Sequence, residues 1–246
     1  IQIQSIATNL SIVNTDFFDS YTTTNIYTSP GLMNPIGGVD ISFTSWGNSA
    51  NALYVNPNND PQEQCNFNNS NVGVFVRGRC HTYIYGNDFY RADYGIIVNQ
   101  AQGVPFTSGT ITGITNNDIT IENNHFNFMN RVGIYGVENT RAVIKVTDNF
   151  LNNQARFGIY FANTFAPHPV LGSDITLRKN SIGGPIIENG IFVNNFKSPQ
   201  IQRNNVVYQN PSMSSNPNSQ SLNRGITMIG ALNKAQILEN FITRTG

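Results

Sequence analysis

Glu122, Lys145 and Arg178 are the residues of this chain whose types could do chemistry together. Each sits at an outward position of a short apolar-x-apolar segment. Stacked in register, three such segments would bring one carboxylate and two bases onto neighbouring strands. A carboxylate and a base within hydrogen-bond reach of a substrate can move protons as general acid and base. Hydrolysis of a glycosidic bond asks for more, two carboxylates flanking the bond. The outward positions of these segments read Tyr83/Tyr85, Thr120/Glu122, Lys145/Thr147, Thr176/Arg178, Gln200/Gln202 and Gln236/Leu238, with a single carboxylate among them. The simpler reading is charge pairing between adjacent strands, worth about 0.2–1 kcal/mol. No catalytic residue is therefore assigned; if the chain is an enzyme, these three are the candidates. His81, His125 and His168 occupy different repeat positions and share no ligand spacing, so neither a metal nor a cofactor is expected. There is no Gly-x-Ser-x-Gly elbow and no phosphate loop.

A second set of outward residues is apolar. Five segments read Gly-apolar-x-apolar: Gly95–Val98, Gly133–Gly136, Gly158–Phe161, Gly190–Val193 and Gly225–Met228. In a strand alternate side chains face opposite ways, so the second residue after each glycine points out. These residues are Ile97, Tyr135, Tyr160, Phe192 and Thr227. An outward aromatic stripe can stack on sugar rings. It can also be covered by the segments Asn99–Asn117 and Ala162–Ser173, or meet another domain or subunit. Tyr135, Tyr160 and Phe192 are the candidate ligand-binding residues. Two positions before each glycine stand Asp93, Arg131, Arg156, Glu188 and Asn223, an alternation that reads as charge pairing between coils.

What must position all of these is a repeat. The pattern apolar-x-apolar-x-x-Asn-x-apolar is cleanest at Ile119–Phe126, Ile144–Leu151 and Ile175–Ile182, centred on Asn124, Asn149 and Asn180. Weaker copies centre on Asn87, Asn204 and Asn240, and near the start Thr15 stands where the asparagine would be. Gly133 and Gly158 lie 25 residues apart. Period-2 alternation at a repeat of about two dozen residues marks a solenoid of short strands. Each repeated Asn would fall in the same turn about 4.8 Å from the next. Its amide can then pair with its neighbours as a ladder, satisfying buried polar groups. The glycine before the second strand is expected to supply a backbone conformation closed to other residues. Insertions at Phe18–Gly37, Asn56–Asn66, Asn99–Asn117, Ala162–Ser173 and Asn210–Asn223 are long enough to be functional loops. Residues 1–80 read as irregular coils and 81–246 as regular ones, within one domain.

The composition agrees. The 246 residues include 38 Asn, and Asn tolerates left-handed turns. Only 11% are charged, with 14 basic against 14 acidic, which gives no reason to expect nucleic acid or an anionic membrane as partner. No apolar run is long enough to span a membrane. Cys65 and Cys80 could form one bridge between coils or remain two buried thiols. Both ends read as cut from a longer protein.

The combination of Ile-x-Ile-x-x-Asn-x-Phe and Gly-Ile-x-Val resembles the right-handed parallel β-helix repeat of many secreted bacterial proteins and phage tailspikes, the pectin-lyase-like superfamily. The resemblance covers Thr82–Thr243 and, more loosely, Ile1–Cys80. It implies an all-β, right-handed parallel β-helix of about seven coils. Members include pectin and alginate lyases, polygalacturonases, epimerases, tailspike hydrolases and non-enzymatic surface adhesins. The Gly-His-Gly and paired-Asp signatures of the pectin hydrolases are missing. The resemblance is specific for the fold and not for activity; with those signatures missing, the expected function is a non-catalytic stalk or adhesin, secreted to the cell surface and contacting glycans. A polysaccharide lyase or glycosidase is the first alternative and a structural viral fibre the second. The Asn-rich, charge-poor style is similar to surface proteins of Bacteroidota exported by the type 9 route, whose sorting domain would lie beyond Gly246.

Overall fold

The computed structural model describes residues 2–4, 10–17, 37–42, 52–77, 81–99, 117–139, 142–164, 166–167, 172–184, 188–209 and 224–245. These residues are all β, with no helix, and every strand pairing is parallel. No helix among them is long and apolar enough to cross a membrane.

Three columns of strands stack coil upon coil. The first is an eight-stranded sheet formed by the apolar-x-apolar segments, from Leu10–Ile12 through His81–Tyr85, Asn117–Glu122, Ala142–Thr147 and Asp174–Arg178 to Gln236–Leu238. The second and third columns belong to a thirteen-stranded sheet. Three long strands, Asn66–Arg77, Asp88–Asn99 and His125–Val137, run through both. Later coils split them, as in Phe150–Asn152 followed by Phe157–Ala162. The Gly-apolar-x-apolar segments make the third column, where Ile134 pairs Ile96 on one side and Ile159 on the other.

The chain turns at corners where one residue takes positive φ. At the corner before each repeated Asn, and before Thr15, these are Asn14, Gly86, Asn123, Asp148, Lys179, Arg203 and Glu239 (φ 44–57°). At the next corner they are Asn69, Arg91, Phe128 and Asn153. Four of these eleven positions are Asn, which meets the left-handed region at low cost.

Inside the first of these corners the amides form a continuous chain. Nδ2 of Asn87 donates to Oδ1 of Asn124 (3.1 Å), and the same link joins Asn124 to Asn149 (3.1 Å), Asn149 to Asn180 (3.0 Å), Asn180 to Asn204 (2.9 Å) and Asn204 to Asn240 (2.9 Å). Each of the five donors also gives its backbone N–H to the same oxygen. The chain is headed by Cys65, whose N–H donates to Asn87 Oδ1 (3.1 Å). Cys65 is a free thiol, and burial pushes its pKa up. Cys80 lies outside the described residues.

Inward side chains repeat in register, so like packs on like. Phe17, Phe67, Phe89 and Phe126 stack face to face at 4.7–4.8 Å, and Leu151, Ile182 and Val206 continue their column. At the last coil the same column ends in Ile242, which is exposed.

The structure corrects one expectation. The glycines that open the third-column strands do not take positive φ; among described glycines only Gly86, Gly184 and Gly230 do. Space is the reason instead. A Cβ on Gly95 would lie 2.4 Å from the Phe126 ring and 2.6 Å from the carbonyl oxygen of Gly133. Gly133, Gly158, Gly190 and Gly225 are crowded in the same way by Leu151, Ile182, Val206 and Ile242. Each glycine lets the column of large inward residues from the next coil pass beneath it.

Candidate functional site

The outer face of the third column holds the aromatic stripe. Phe75, Ile97, Tyr135, Tyr160, Phe192 and Thr227 are paired in register, one per coil. A parallel row stands beside it: Val72, Tyr94, Val132, Phe157, Asn189 and Arg224. Phe75 and Ile97 are buried, whereas Tyr135, Tyr160 and Phe192 are half-buried around a concavity of about 440 Å³. Of the flanking segments proposed from sequence as cover, residues 100–116 of Asn99–Asn117 and residues 165 and 168–171 of Ala162–Ser173 lie outside the described residues.

Register decides how the rings present themselves. Tyr135 and Tyr160 stack at 5.0 Å with planes 17° apart, and Tyr160 and Phe192 at 4.7 Å and 8°. Their faces are therefore turned to one another. The face of Phe192 toward the next coil meets Thr227, whose short side chain leaves it uncovered by a ring. Tyr94 and Phe157 hold the stack from the side in edge-on contacts. At the rim, Arg156 Nε donates to Glu188 Oε1 (2.7 Å), a solvent-exposed pair between coils; such pairs are worth about 0–1 kcal/mol. Thr227 Oγ1 donates to Asn189 Oδ1 (2.5 Å).

Burial pushes the Tyr135 hydroxyl up from 10.0 to about 12, with Tyr160, Tyr94 and Glu138 adding to it. Burial, then Glu188, raises Tyr160 as well. Both phenols are donors across the neutral range. The raised value has a sign for stability. The fold holds the Tyr135 proton more tightly than the unfolded chain does, so this contribution is complete below pH 10 and is lost as pH rises toward about 12. We expect urea midpoints to fall across that window and Tyr135→Phe to flatten the fall; equal slopes in variant and wild type would contradict the assignment.

Glu122, Lys145 and Arg178 lie on the outer face of the first column, on three successive strands. Glu122 and Arg178 flank Thr147, while Lys145 is two residues upstream between Thr120 and Thr176. Among the described residues no ion pair joins any two of the three. Glu122 lies close enough to Tyr85 to help burial raise that hydroxyl. His81 Nδ1 accepts from the Asp118 N–H (3.0 Å). His125 sits 3.3 Å from Asp88, and His168 lies outside the described residues. No cluster of three or more His, Cys, Asp or Glu occurs among the described residues. Asn87, Asn124, Asn149, Asn180 and Asn204 are buried, their amides occupied by the chain of hydrogen bonds.

The sequence reading missed the second row of the groove. Its signal was present: Tyr94, Val132, Phe157, Asn189 and Arg224 are the residues immediately before the repeat glycines. The strands start one residue earlier than the glycine pattern suggests. Comparison of the chain with family models, curated proteins and solved structures returns no match.

Proposed function

We propose that the chain is a right-handed parallel β-helix of about seven coils, one domain with an internal Asn ladder, of the pectin-lyase-like kind. On this reading it is a non-catalytic segment of a secreted, cell-surface protein. It is a stalk or adhesin that contacts glycan along the outer face of the third column. The observation that carries this is the half-buried column Tyr135–Tyr160–Phe192 lining a concavity, with Asn189 and the Arg156–Glu188 pair as its polar rim. Phe192, bordered on one side only by the short Thr227, and the phenols of Tyr135 and Tyr160 offer the mixed apolar and hydrogen-bonding surface that a sugar needs. The charge-poor, Asn-rich composition supports an extracellular setting, and export by the type 9 route from a Bacteroidota-like cell is what the resemblance suggests. Flanking domains of the same chain are the other expected partners.

A glycan-array screen tests this reading. Binding is expected, reduced about tenfold or more by Phe192→Ala, a loss of about 1.4 kcal/mol, and by Tyr160→Ala. Binding that survives both substitutions at full affinity would move the site elsewhere, and no binding to any glycan would leave a stalk without this contact.

A further inference from the structure

The outer face of the second column carries a different arrangement of rings. Asp88, His125, Phe150 and Ser181 form one row, and Asn68, Tyr90, Asn127 and Asn152 the next. Between them runs a groove of about 540 Å³. Here the rings are not stacked in register. Phe150 is 49% exposed, its neighbour His125 meets it edge-on (78°), and on the other side stands only the short Ser181. Tyr90 is held by Phe128 edge-to-face (5.6 Å) and by Arg91 over its ring (5.2 Å). Phe128 and Arg91 take positive φ at the corner where the coils on either side use Asn69 and Asn153. A non-Asn, non-Gly residue there costs on the order of 1 kcal/mol, and in Phe128 it holds a 45% exposed ring beside the groove.

The polar groups are oriented as well. Asn127 Oδ1 accepts from Asn153 Nδ2 (2.9 Å) and Asn152 Oδ1 from the Asn153 N–H (3.0 Å). Both oxygens are engaged, and neither Nδ2 group has a partner among the described residues. Asp88 and His125 add an exposed acceptor and donor 3.3 Å apart. A dry protein interface would have to match both amides or lose about 1–3 kcal/mol for each one left unpaired. Sugar hydroxyls beside an apolar sugar face meet both needs. One Asp, one His and one Arg give no surplus of positive charge to hold an anionic chain.

We infer that this face is a second glycan site, separate from the third-column groove, that takes a neutral polysaccharide with one sugar ring on Phe150 and its hydroxyls on Asn127, Asn152 and Asp88.

The test is migration of the full chain in native gels cast with mixed-linkage β-glucan, galactomannan, xylan or amylopectin, beside polygalacturonate and alginate. In a Tyr160→Ala/Phe192→Ala background, which disables the third-column groove, retardation is expected in at least one neutral gel. Adding Phe150→Ala should weaken it about tenfold, corresponding to about 1.4 kcal/mol; Phe150→Trp should preserve it, and Asn152→Ala should weaken it severalfold. Thermal melts should coincide for the two Phe150 variants, since the side chain is half in solvent. The inference is overturned if no neutral gel retards that background, if only the acidic gels do, or if Phe150→Ala leaves retardation unchanged. It is also overturned if sedimentation shows self-association that Phe150→Ala abolishes, because the face would then join two copies of the chain.

Discussion

Asn149→Ala is expected to lower the stability of the chain by about 3–5 kcal/mol. This one side chain has five hydrogen-bonding partners, three of them sharing the two hydrogens of its Nδ2. It donates to the carbonyls of Ile121 (2.9 Å) and Thr147 (3.0 Å) and to Asn180 Oδ1 (3.0 Å). It accepts from the backbone N–H and the Nδ2 of Asn124 (3.0 and 3.1 Å). Truncation removes the acceptor of a buried backbone N–H and strands acceptors on two further coils. Each buried group left unpaired costs about 1–3 kcal/mol. Water cannot readily substitute, because Asn124, Asn149 and Asn180 are each at most 1% exposed. The same substitution at Asn240 should cost less, since that residue is half-buried and one of its acceptors, the Leu238 carbonyl, belongs to an exposed residue. Urea unfolding followed by circular dichroism measures both. An Asn149→Ala variant within about 1 kcal/mol of wild type would mean that the amide chain contributes far less than its geometry implies.

Gly95→Ala should be nearly as damaging although it adds a single methyl group. The new carbon would stand 2.4 Å from the Phe126 ring and 2.6 Å from the Gly133 carbonyl oxygen. The ring is locked in the Phe67–Phe89–Phe126 stack and the carbonyl belongs to the next strand, so relief requires parting two coils. Overpacking of this kind costs about 1–3 kcal/mol and sometimes more. Gly183→Ala is the internal control. Its nearest neighbours would be 3.8 Å away, and a change of no more than about 0.5 kcal/mol is expected. If the two variants melt together, steric crowding is not what selects glycine at the head of the third-column strands.

Those two positions also show where reading the sequence succeeds and where it stops. The strand columns are written in the spacing itself, because alternation of period 2 at Ile144, Lys145 and Val146 allows only one face inward and the register then carries it from coil to coil. The role of Gly95 was not readable in the same way. A glycine needed for positive φ and a glycine needed for space look identical in one chain, and only the position of Phe126 separates them. Cys65 was missed at the head of the amide chain because its contribution is a backbone N–H, which no side-chain pattern records. The stripe Tyr135–Tyr160–Phe192 was legible as an outward column, but not the way register turns its ring faces onto one another. That follows from coil spacing and ring planes. Glu122, Lys145 and Arg178 did fall on neighbouring strands, yet a two-residue offset takes Lys145 out of the row that Glu122 and Arg178 share with Thr147.

The central claim is that this surface holds glycan without cutting it. The most direct measurement is to incubate the chain with each polysaccharide it binds and follow new reducing ends and unsaturated uronates over time. The expected result is binding with no product at any time. Product that accumulates with enzyme concentration and falls in Glu122→Gln or Arg178→Ala would contradict the claim and make the first column the active face.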